Sequence, residues 1–168
     1  MLISTNEILY RIQKALGLSI SDIRKAYSLA SYPMEESHLK NLLTRRQDKD
    51  FKVCSYEELG VFLDGLVLLR RGPSPSKPDS TKTVELTHNL ILKKLRIAQE
   101  FKEAEIEIIF ALGEATLSKQ QLSSLFRKEA HKNFKPCSDA LLLTFLDGLE
   151  EFYYTGEDAT IPPSTPLS

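Results

Sequence analysis

The chain is expected to be an all-α protein in which one four-helix unit occurs twice in tandem, packed as a pseudo-twofold helical bundle. Three observations lead there. First, the sequence repeats itself: shifted by 83 positions, residues 6–66 lie on 89–149 without a gap, and 19 of 61 positions are identical, where ordinary composition would give roughly 4 by chance. Second, apolar residues recur at helical spacing in both copies and nowhere alternate long enough for a strand. Third, Gly72-Pro73-Ser74-Pro75-Ser76-Lys77-Pro78 separates the copies and cannot continue a helix. The expected organisation is a first repeat at 1–72, a Pro/Ser-rich linker at 73–84, a second repeat at 85–155 and a flexible tail at 156–168.

Each helix of the unit has its own signal. Helix 1 is expected to follow Asn6 as N-cap, with Ile8, Leu9, Ile12, Ala15 and Leu16 on one face. The second copy repeats the stripe with Ile91, Leu92, Leu95 and Ala98. Helix 2 is placed at roughly 21–32 around Ile23, Ala26 and Tyr27, matched by Ile106, Ile109 and Phe110. Helix 3 is placed at roughly 35–46 with Leu39, Leu42 and Leu43 inward; Ser118 and Gln121 have capping-box spacing in the second copy. Helix 4 starts at Ser55, where Glu58 completes a capping box, and carries Leu59, Phe62, Leu63 and Leu66. Its first version is apolar nearly all round, so it needs burial on several sides. The simplest arrangement sets both fourth helices near the pseudo-twofold axis.

Composition narrows the class. With 168 residues, 42% hydrophobic and 27% charged, the chain has the make-up of a globular protein. A net charge of −1 excludes a global basic field for nucleic acid or anionic membrane, though not local patches. The N-terminus lacks the basic start and apolar core of a signal peptide, and no apolar run nears the ~18 residues of a membrane span. Two cysteines make no disulfide framework. A cytoplasmic protein without membrane contact is expected.

Each copy opens with Asn-x-Ile-Leu and closes with Phe-Lys-x-Cys-Ser followed by Leu-x-x-Phe-Leu-Asp-Gly-Leu. This pattern resembles the YehS-like bacterial family, a tandem-repeat domain of unknown function. The resemblance covers about nine tenths of the chain. It implies the duplicated fold and brings no assigned activity. Family members usually carry Asn at the positions of Asp64 and Asp147, and a Trp-Leu pair where this chain has Leu42-Leu43 and Leu125-Phe126.

Four sets of residues are candidates for chemistry. Cys54 and Cys137 precede a helix start and follow a lysine, which can lower a thiol pKa; the structural reading is a small buried side chain. His38, His88 and His131 fall at unmatched positions of the repeat, so no metal site and no cofactor is expected. Gly65 and Gly148 interrupt helix 4 at a cost of about 1 kcal/mol relative to alanine, which calls for a close backbone neighbour. The adjacent Asp64 and Asp147 read as solvated or capping carboxylates, with a pair facing each other across the axis as the alternative.

Basic clusters follow helix 3 in both copies: Arg45, Arg46, Lys49 and Lys52, then Arg127, Lys128, Lys132 and Lys135. Three positions match between copies, and each set suits an anion site or a solvated loop at a helix C-terminus. The functional reading is a non-enzymatic interaction or regulatory module that binds a protein partner through helical surfaces. The alternative is a nucleic-acid-binding protein that uses helices 2 and 3 as a helix-turn-helix together with these cations.

Overall fold

The computed structural model describes residues 3–73 and 85–154. Among them are eight helices and no strand: α1 (Thr5–Leu16), α2 (Ile20–Leu29), α3 (Glu36–Leu42), α4 (Tyr56–Arg71), α5 (His88–Gln99), α6 (Glu103–Leu112), α7 (Lys119–Leu125) and α8 (Asp139–Tyr153). The first four and the last four are the same unit, with equivalent helices displaced by 83 residues or within one of it. The linker from residue 74 and the tail from residue 156 lie outside the described residues.

Most helices begin where a hydroxyl can take an orphan amide. Ser55 accepts from the Glu58 N–H while Glu58 accepts from Ser55 N–H, each at 2.9 Å. Ser118 and Gln121 make the same exchange, and so do Ser19 and Asp22. Helix 1 corrects the sequence reading. Its N-cap is Ser4, not Asn6, and the N-cap of α5 is Thr87. Each Asn sits inside the first turn and reaches out of the helix instead.

That reach is the main tie of each repeat. Asn6 Nδ2 donates to the carbonyls of Leu42 and Lys52, both at 2.8 Å, and Asn6 Oδ1 accepts from Cys54 N–H at 2.9 Å. Asn89 does the same with Leu125, Lys135 and Cys137 at 3.0, 2.9 and 2.9 Å. Lys52 N–H also takes the Asn41 carbonyl, and Lys135 N–H that of Ser124. These bonds use the carbonyls at the end of helix 3. They explain why α3 and α7 stop at Leu42 and Leu125, earlier than the expected residue 46.

Helix 4 crosses helix 2 of its own repeat at the glycine. A Cβ on Gly65 would stand 1.9 Å from the Ala26 carbonyl oxygen, and one on Gly148 would stand 1.7 Å from that of Ile109. Ala26 and Ile109 are themselves equivalent positions. The close backbone neighbour inferred from the sequence is therefore helix 2.

The two repeats interlock by exchange. α4 packs on α2 and on α5 of the other repeat; α8 packs on α6 and on α1. Each first helix makes far less contact with its own fourth helix. The two fourth helices are not a main packing pair: one side of helix 4 is taken by helix 2 at the glycine, and another by the foreign helix 1. Asp64 is next to Gly65, about 100° around the helix, and it meets that foreign helix. Lys94 forms an ion pair with Asp64, and Arg11 with Asp147. Lys94 and Arg11 are again 83 apart. The aspartates stay more than half exposed, as solvated carboxylates do, but each faces a cation and not the other aspartate. Exposed pairs of this kind are worth about 0–1 kcal/mol, so they set the register more than the stability.

Two outcomes are expected. Gly65→Ala and Gly148→Ala should each destabilise by about 1–3 kcal/mol or more, because the methyl meets backbone that cannot rotate away. Helix propensity alone gives the opposite sign. The two contacts lie in different repeats, so the urea midpoints of the double variant should reflect additive losses. Asn6→Asp keeps shape but loses both donors and brings a charge against two carbonyls; a loss of about 2–4 kcal/mol is expected in the same measurement.

Candidate functional site

The loop after helix 3 is a platform, not a free excursion. In the second repeat its start and end are pinned by Asn89, and its interior is turned by His131 N–H to Lys128 O and Phe134 N–H to His131 O. The backbone polar groups are thus used locally. Arg127, Lys128, Lys132 and Lys135 all project as exposed side chains. None of them forms an ion pair within 4.0 Å among the described residues, and the same holds for Arg45, Arg46, Lys49 and Lys52.

In the second repeat the structure gathers its four cations around two adjoining grooves. The first, about 730 Å³, is lined by Phe126, Arg96, Arg127, Lys128 and Glu103 over the buried Ile106 and Leu122. The second is lined by Lys132 and Lys135 and shares Glu103, Ser123 and Arg127 with the first. A third groove continues from Arg96 and Phe126 to Lys93 and Arg71. Arg96 lies over the Phe126 ring, 4.8 Å from its centroid, which holds the guanidinium on an aromatic face. The sequence reading missed Arg96, and it weighed His131 only as a metal ligand. Arg96 comes from α5, some thirty residues before the cluster, and its equivalent is Gln13; a comparison of the two copies for gained cations would have found it.

In the first repeat the gathering is poorer. Arg45 and Arg46 line a groove of about 420 Å³ with Tyr10, Leu43 and Phe51, and Glu7 stands in it. Lys49 and Lys52 do not line that groove. Asp48 and Asp50 interleave with the cations in this loop, where the second copy has His131 and Asn133.

The remaining candidates sort plainly. Both cysteines are buried, and burial pushes each thiol up to about 12, the opposite of activation. Each Sγ lies 3.5 Å from the carbonyl of the following serine. No group of three or more metal-ligating side chains occurs among the described residues. No helix among them is long and apolar enough to cross a membrane. One pair was not legible: His38 Nε2 lies 2.7 Å from Glu58 Oε2, and Tyr27 donates to the Glu58 carbonyl at 2.9 Å. The second copy has Gln121, Leu141 and Phe110 at these places, so this polar cluster belongs to the first repeat alone.

The fold defines a duplicated helical-repeat protein with a cluster of exposed cations after helix 3 of each repeat. The chain belongs to the family described as protein of unknown function DUF1456, which matches residues 5–72 and 88–153. It is 29% identical over 145 residues to the uncharacterized protein YehS of Escherichia coli (strain K12), covering 86% of this chain and 93% of that protein. No solved structure matches the chain.

Two measurements follow from these environments. Cys54 and Cys137 should label slowly with a thiol reagent at neutral pH in the native state and promptly in denaturant; fast native labelling of either would contradict their burial. For Glu58, burial raises the carboxyl's pKa, but the Ser55 N–H and the His38 imidazole outweigh it, leaving the group below the ordinary glutamate range. A depressed folded-state pKa means a stabilising contribution that is present above about pH 4–5 and is lost as pH falls through the folded value. Glu58→Gln keeps the cap and removes the titration. The fall in Tm between about pH 5 and pH 3 should therefore be shallower in Glu58→Gln than in the parent.

Proposed function

We propose that this protein is a non-enzymatic interaction module that binds an acidic macromolecular partner through the basic grooves of its second repeat. One observation carries the reading: grooves that share lining residues collect cations that have no ion-pair partner among the described residues, on a chain whose net charge is only −1. Concentrated charge on a near-neutral chain gives local recognition and not general polyanion binding.

The half-buried Phe126 on the first groove favours a protein segment, whose apolar side chain it can meet, over a nucleic-acid backbone. Three further features weigh against duplex binding. α3 and α7 have seven residues each, about 10 Å of helix, which is short for an element that must lie along a major groove. Glu35 and Glu36 open helix 3 of the first repeat, and Glu103 sits between the two grooves of the second.

The test is binding of fluorescent poly-glutamate to the full chain at low salt, with duplex DNA of matched charge as competitor. Micromolar binding that weakens as salt rises, and is reduced several-fold by Lys128→Glu with Lys132→Glu, is expected. Absence of poly-glutamate binding at low salt would overturn the reading. Tighter binding of the duplex would replace it with the nucleic-acid alternative.

A further inference from the structure

The buried residues of α2 and α6 correspond, but their outward faces do not. In α6, Ile106, Ile109 and Phe110 enter the core, while Ala104, Ile108, Ala111 and Leu112 are all exposed. These four fall at i, i+4, i+7 and i+8, which is one face of a helix. Ile108 is 49% and Leu112 43% exposed; among the described residues no other helix exposes two large apolar side chains. At the same places α2 has Ser21, Lys25, Ser28 and Leu29, a face that is polar but for its last residue. A single apolar residue on the surface needs no explanation, but a helix that is apolar on both sides calls for a second partner.

The margins of the face define that partner. α6 holds three glutamates and no Lys or Arg. At about 100° per residue, Glu105 lies along one edge of the apolar face and Glu107 along the other. Neither forms an ion pair among the described residues. Glu105 Oε1 accepts from the Lys102 N–H at 2.7 Å, which uses one of its two oxygens. In α2 the residue equivalent to Glu107 is Arg24, which donates to the Met34 carbonyl and pairs with Glu36. The acidic edges, like the apolar face, therefore belong to the second repeat.

An apolar face between two acidic edges discriminates among occupants. A second copy of the chain does not suit it. If two α6 helices paired antiparallel, the Glu107 edge of one would run along the Glu107 edge of the other. If they paired parallel, it would run along the Glu105 edge. Carboxylates oppose carboxylates in both arrangements. An anionic lipid surface meets the same repulsion. A helix with apolar residues on one side and Lys or Arg on both margins satisfies the face and its edges together, as flanking charges do across a two-helix seam.

We infer that the outward face of α6 is a docking surface for an amphipathic helix of another protein, apolar along one side and basic at both margins. α6 has ten residues, about 15 Å of helix, and so takes two to three turns of that partner. None of Ala104, Ile108, Ala111 and Leu112 lines the basic grooves, so this surface stands whatever those grooves bind.

The experiment uses the full chain and two labelled amphipathic peptides of about four helical turns, one built of Leu and Lys, the other of Leu and Glu in the same pattern. Anisotropy should show micromolar binding of the Leu/Lys peptide, about tenfold or more tighter than that of the Leu/Glu peptide and weaker as salt rises. Ile108→Lys with Ala111→Ser puts the first repeat's residues at exposed positions of α6; it should lower the affinity about tenfold or more, through the lost apolar contact and the added cation. Leu29→Ser removes an equally exposed leucine from α2 and should leave the affinity nearly unchanged. Circular dichroism melts check that both variants are folded. Equal affinity for the two peptides, or equal losses from the two variants, would overturn the docking surface. Sedimentation of the parent as a dimer that Ile108→Lys converts to monomer would replace it with self-association. Binding to phosphatidylglycerol vesicles that is lost in Ile108→Lys would replace it with a lipid contact.

Discussion

A single side chain in each repeat holds three pieces of chain that are distant in sequence. Asn6 and Asn89 each donate twice and accept once, joining the first turn of helix 1 to the end of helix 3 and to the strand-like approach to helix 4. Only an amide can do this, because the site requires two donors and an acceptor on one short stem. An aspartate lacks the donors and a leucine lacks all three. The rest of the unit follows from the tie. Helix 3 ends where its carbonyls are taken, the loop becomes a fixed platform, and the cysteine beside it is drawn into the core.

The second constraint is the crossing of helix 4 over helix 2. At Gly65 and Gly148 the partner is a carbonyl oxygen, which leaves no room for a methyl. With that face closed, the remaining apolar surface of helix 4 is covered from the other repeat by helix 1. A unit of about 65 residues buries little surface alone, and the exchange gives each repeat a second apolar partner. Arg11 with Asp147 and Lys94 with Asp64 then select one register of that exchange. The interlock is symmetric in its contacts, although the residues on the outside are free to differ.

They do differ, and function is read from that difference. The first repeat carries a polar cluster of Tyr27, His38 and Glu58 that the second lacks. The second carries Arg96, Arg127 and His131, which the first lacks. A duplicated scaffold with a shared core and unlike surfaces is what results when the core constrains both copies and the surface constrains neither. The loop of the second copy carries Glu129 among its four cations, where that of the first carries Asp48 and Asp50.

The repeat, the helical class, the inward stripes, the capping boxes at Ser55 and Ser118 and the close approach at the glycines were all legible in the residues themselves, because each depends on local spacing or on comparison of two copies within one chain. The role of Asn6 was not: Asn is a good N-cap in isolation, and only the folded chain brings Leu42, Lys52 and Cys54 within its reach. The pairing of Asp64 with Lys94, the exchange of helices between repeats and the placing of Arg96 and Arg127 on one groove were likewise decided by tertiary structure. These contacts join residues 30 or more apart, and a side chain's sequence neighbours carry no record of which distant surface will be pressed against it. Local spacing determined the units; the competition among their apolar faces for burial determined how they combine and which surface was left for a partner.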